Sequence, residues 1–151
     1  MNKLLKTIPT LLLPVLTTGC FTKPDMTKYK DISTFYGEAE VAYCWYWTRE
    51  HEGQHYDNEQ EYIVLKEIEK IDSFQEIKEF KKPDINYLTY HILQSNSTAG
   101  PNFTEMTIYE DGKALLTDKH ALSDYGYLYF SCDVEQALHV IEFANNLIDN
   151  R

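Results

Sequence analysis

Basic residues are scarce in this chain: 14 Lys and Arg stand against 24 Asp and Glu, a formal charge of −10. Such a balance repels phosphate backbones and anionic lipid headgroups, which speaks against nucleic-acid binding and against electrostatic docking on a membrane. No glycine-rich phosphate loop, no G-x-S-x-G nucleophile elbow and no C-x-x-C pair is present, so the chemistries that announce themselves through those motifs have no local signature here. A long apolar run is missing as well. The run Ile8 to Leu16 covers about nine residues where a bilayer-spanning helix needs about 20, and it holds Pro9 and Pro14. It is too short for a transmembrane anchor, and no internal repeat or low-complexity tract occurs elsewhere.

What is there begins with an address. Lys3 and Lys6 give a positive start, Ile8 to Leu16 an apolar centre, and Thr17-Thr-Gly19 a stretch of small residues before Cys20. That is the layout of a signal peptide over residues 1–19. The end of it resembles the lipobox of bacterial lipoproteins, with Gly19 and Cys20 in place, Thr17 three positions before the cysteine and Leu16 one further back. The resemblance covers the first 20 residues. It implies cleavage before Cys20, a palmitate-type lipid on its thiol, and a protein held in the cell envelope on the extracytoplasmic side of a membrane. Thr17 and Gly19 also satisfy ordinary signal peptidase, so plain secretion is the alternative.

Cleavage leaves 132 residues, enough for one domain with its own core, at a formal charge of −12. Membrane attachment then rests on the lipid. With Cys20 modified, Cys44 and Cys132 are an even pair that could form a disulfide in an oxidising compartment, stabilising the fold by about 4 to 5 kcal/mol; two buried free thiols are the alternative. Residues 20–31 read as the lipidated cysteine and a tether, and 32–151 as a single domain.

Ser33 to Glu50 is dense in aromatics, and its alternation favours a strand, although Glu38 to Ala42 could open a helix. Glu59 to Lys82 reads as a short strand, Tyr62 to Leu65, running into a helix that Pro83 stops. Tyr87 to Gln94 alternates as a strand, and Ser95 to Asn102 reads as a loop. Asp111-Gly112 between Phe103–Glu110 and Lys113–Thr117 predicts a hairpin with a type I′ turn. Tyr125, Tyr127 and Tyr129 share one face of a further strand, with Leu128, Phe130 and Cys132 on the other. Asp133 then caps a helix, with Gln136 as capping-box partner and an apolar stripe from Val134 and Leu138 to Ile148. The expected class is α+β, an antiparallel sheet with helices packed on one face.

One stretch could carry chemistry. His51-Glu-Gly-Gln-His55 is a literal H-E-x-x-H, which resembles the zinc site of zincin-type metallopeptidases. On a helix, histidines four apart lie one turn above the other; by resemblance His51 and His55 would hold zinc and Glu52 would act as general base, with Glu76 or Glu79 as a third ligand. Gly53 disfavours that helix, and the competing reading is an exposed turn in which Glu52-Gly53 reverses the chain. His91 and His120 have no ligand-spaced partners in sequence, and His139 sits on the polar side of its helix. The tyrosine stripe Tyr125, Tyr127, Tyr129 is a candidate partner face, since tyrosine brings large contact area at low entropy cost. The expected function is a lipid-anchored binding or interaction module without a cofactor, facing an envelope or secreted protein partner. The alternative is a small zinc metallopeptidase.

Overall fold

The computed structural model of the protein describes residues 22–53 and 58–150. A 3-10 turn, Met26–Lys30, leads into helix α1 (Ser33–Val41), strand β1 (Tyr43–Thr48), a second 3-10 turn (Arg49–His51) and helix α2 (Asn58–Glu69). Strands β2 (Gln75–Ile77), β3 (Tyr87–Ser97), β4 (Gly100–Tyr109), β5 (Lys113–Lys119) and β6 (Tyr125–Ser131) follow, then helix α3 (Val134–Asp149). The strands form one sheet in the order β1-β3-β4-β5-β6-β2, and every neighbouring pair is antiparallel. The chain is α+β.

Register decides which residues meet the helices. Tyr46 pairs with Tyr90, Tyr90 with Met106, Met106 with Leu116, and Leu116 with Leu128, so these side chains share one face of the sheet. That face carries the core, joined by Phe35 from α1, Leu65 and Ile68 from α2, and Ile141 and Ala144 from α3. All three described helices therefore cover the same side. Among the described residues, no helix lies over the opposite side of the sheet.

Several local expectations change. The segment 59–82 is a helix followed by a strand, the reverse of the predicted order: Val64, Leu65 and Ile68 are buried at helical spacing, while Tyr62 and Ile63 face solvent. A short apolar run cannot by itself distinguish the two states. Ser33 to Glu50 is divided between α1 and β1, and the loop predicted at 95–102 is mostly strand, with β3 and β4 joined tightly at Ser97/Gly100. The Asp111-Gly112 hairpin forms, but only Gly112 has a positive φ, at 79°, and its amide donates to the Tyr109 carbonyl at 2.9 Å. The connection is a three-residue loop closing on a left-handed glycine, not a type I′ turn.

Asp133 caps α3 by accepting from the Glu135 and Gln136 amides. Gln136 does not complete the capping box; Ser73 instead accepts the Asp133 amide and donates to the Gln136 side chain. Val134 and Leu138 of the expected stripe are exposed, and Val140 takes a core place. Met26–Lys30 is not a spacer either, because Tyr29 is completely buried. Cys44 and Cys132 are free thiols. They lie on β1 and just past β6, four strand steps of about 4.8 Å apart, whereas a disulfide needs its Cα atoms within about 7 Å. Burial pushes both thiols up to about 11, which keeps them protonated and unreactive at neutral pH.

Candidate ligand-binding face

The helix-free side of the sheet is built by strand alternation: every residue that is not on the core ladders points to it. Three cross-strand rows result. The first runs Tyr43, Leu93, Phe103, Lys119, Tyr125; the second Trp45, His91, Glu105, Thr117, Tyr127; the third Trp47, Thr89, Thr107, Leu115, Tyr129. Aromatic rings dominate both margins, and polar groups fill the middle. Thr89, Thr107 and Thr117 are buried even though no helix covers them, because the surrounding rings stand above them. The face is a trough, with threonines on its floor.

His91 is its central contact. Its ring stacks on Trp45 with centroids 4.1 Å apart and on Phe103 at 4.9 Å, and its Nδ1 lies 3.0 Å from Glu105 Oε2. The rings and the carboxylate hold it in one orientation. Thr89 and Thr107 share a hydroxyl hydrogen bond of 2.9 Å beside it. Tyr125 and Tyr127 lie nearly parallel, 7° between planes and 6.0 Å between centroids. Tyr127 is raised above the ordinary tyrosine range by burial first and then by Tyr125 and Tyr129.

Of the three predicted tyrosines, Tyr125 and Tyr127 are about half exposed, but Tyr129 is covered by Phe80, whose ring stacks flat on it at 5.0 Å. Phe80 also reaches Tyr109 and helps to bury it. Between this cover and β1 lies a recess of about 170 Å³ lined by Trp47, Glu52, Lys82, Tyr87, Glu105 and Leu115, among others. The Tyr87 hydroxyl is raised by burial and by the Glu52 and Glu105 carboxylates facing it, against the opposing charge of Arg49.

The H-E-x-x-H stretch is partly visible. His51 ends the second 3-10 turn, Glu52 has extended backbone at φ −64°, ψ 134°, and Gly53 has a φ of 79°. Helix geometry therefore stops between His51 and Gly53, whereas a zincin site needs it to run through to His55. Glu52 and Gly53 are exposed and lie in a turn, while the residues 54–57 that the competing reading needs to complete the reversal lie outside the described residues. His51 Nε2 lies 3.2 Å from Asp149 Oδ1 at the end of α3, and Glu52 sits at the rim of the recess. Glu76 is on β2, at the sheet edge opposite β1. Among the described residues no group of three His, Cys, Asp or Glu side chains is placed to share a metal ion. His55 and Cys20 lie outside the described residues.

Sequence reasoning missed His91, Glu105, Phe103 and Trp47 as a group. Alternation along 103–109 puts Phe103, Glu105 and Thr107 on one face, but their meeting with Trp45 and His91 depends on pairing across three strands. Among the described residues, no helix is long and apolar enough to cross a membrane. No protein-family model, curated protein or solved structure matches the chain.

Proposed function

We propose that the protein is a lipid-anchored extracytoplasmic binding module, held by Cys20 and taking its ligand on the open face of the sheet. One observation carries this reading: all three helices pack on one side, and the uncovered side concentrates stacked aromatic rings around an ordered His91–Glu105 pair. Aromatic residues with polar tips, arranged on rigid strands, bind with little loss of side-chain entropy. The lipobox resemblance supplies the address, and the acidic chain leaves the lipid as its means of attachment.

Two measurements test the parts. In detergent phase partitioning, which reports the lipid rather than envelope binding, Cys20→Ser is expected to move the protein from the detergent phase to the aqueous phase; a Cys20→Ser protein that still enters the detergent phase would defeat the anchoring. The released Cys20→Ser protein, labelled and added to envelope fraction of the source cells, is expected to be retained. Adding Tyr125→Ser and Tyr127→Ser should abolish retention, while Tyr62→Ser on α2 should not. Retention that survives the β6 changes, or none at all, contradicts the module reading.

A further inference from the structure

Charge on the open face is balanced, although the chain is strongly acidic. Glu105, the recess carboxylate Glu52 and Asp111 stand against three ammonium groups, those of Lys82, Lys113 and Lys119, while Arg49 beside the recess is paired with Asp84. Most of these charges are already engaged within the protein. Glu105 meets His91, Lys113 pairs with Asp111, and Lys119 donates to the Ser123 carbonyl and lies 5.0 Å above the Tyr125 ring. A cationic peptide would meet three competing lysines, and an anionic ligand would meet Glu52 and Glu105. The face is matched in charge to a ligand that has none.

The remaining chemistry selects among neutral ligands. The rings present flat apolar surfaces, Tyr125 and Tyr127 add hydroxyls at their edges, and the recess offers Tyr87 and the Glu105 carboxylate as hydrogen-bonding groups. That combination of C–H-stacking planes and hydroxyl-directed polar groups is what a pyranose ring requires. Rings stand at both margins of the face, Tyr43, Trp45 and Trp47 on β1 and Tyr125 and Tyr127 on β6, so a chain lying across the strands meets aromatic surface at each end and polar groups between. We infer that the open face binds an uncharged saccharide chain, with one sugar entering the recess beside Trp47 and Tyr87 and its neighbours crossing toward Tyr127. This rests on the module reading above and names its ligand class.

The test uses the Cys20→Ser protein and hexamers of N-acetylglucosamine and of glucose, with oligolysine and a polyanionic saccharide as charged probes, followed by tryptophan fluorescence. A neutral hexamer is expected to bind, with an affinity unchanged between about 0.05 and 0.5 M salt, because no ionic contact is screened. Trp47→Ala and Tyr127→Ala should each weaken it by about tenfold or more; the conservative Trp47→Phe should retain most of it, which separates lost stacking from a failure to fold. Binding of oligolysine or the polyanion alone, or saccharide binding that is unaffected by both alanine changes, overturns the inference. If no probe binds while envelope retention persists, the saccharide assignment fails and the module stands; if retention fails too, both fall.

Discussion

Tyr29 is completely buried although it lies in a stretch that reads as polar linker. Its hydroxyl is 2.8 Å from Glu38, 3.0 Å from Thr104 and 3.3 Å from Asp118, and the Lys28 ammonium bridges the two carboxylates at 2.9 and 3.4 Å. Removing that hydroxyl leaves buried acceptors short of a donor. Tyr29→Phe is expected to cost about 1–3 kcal/mol in urea unfolding, and an unchanged midpoint would show that water replaces the hydroxyl. The same burial has a pH signature. Tyr29, Tyr36 and Tyr90 are all raised above the ordinary tyrosine range, chiefly by burial, and the Cys44 and Cys132 thiols likewise reach about 11. Each group loses its proton more readily unfolded than folded, so its contribution is intact below the unfolded value and is lost as pH rises toward the folded one. Stability should hold to about pH 8.5, where free thiols ionise, and fall steeply above about pH 10, where free tyrosines do. A urea midpoint that is flat from neutral pH to about 11 would contradict the burial of these groups.

The hairpin joining β4 to β5 depends on one backbone conformation. Gly112 has a φ of 79°, and a Cβ there would meet the Cys132 carbonyl oxygen at 2.5 Å. Gly112→Ala is expected to destabilise by about 1–3 kcal/mol. Gly37, inside α1 with open space around it, should instead gain up to about 1 kcal/mol on becoming alanine. Thermal unfolding of the two variants checks both signs; equal effects would contradict the loop assignment. The hairpin and β6 were legible because an alternating pattern bounded by turn residues is local information. The 59–82 segment was not, since Tyr62 to Leu65 suits a strand or a helix equally until packing selects the helix that buries Val64, Leu65 and Ile68. The same limit governed the site. Tyr125 and Tyr127 could be read along one strand, whereas the Trp45–His91–Phe103 stack requires three strands in register, and covering Tyr129 required Phe80 from outside the sheet.

At the scale of the molecule, the packed turn at Met26–Lys30 would, on the proposed anchoring, shorten the link between lipid and domain: five residues, 21–25, could reach at most about 17 Å, where a tether running to Asp31 would allow about 35 Å. On the proposed anchoring, the domain sits close to the membrane with one side of its sheet committed to the core and the other free to meet the envelope. Hydroxyl-radical labelling of tyrosines in intact cells and in the purified Cys20→Ser protein reads that asymmetry. Tyr43, Tyr125 and Tyr127 on the open face have 56%, 46% and 47% exposure, and Tyr62 on the helix side has 56%, so their intrinsic accessibilities are comparable. The three open-face tyrosines are expected to be protected in cells while Tyr62 labels alike in both samples; equal labelling of all four, or protection confined to Tyr62, would rule out an open face that meets the envelope.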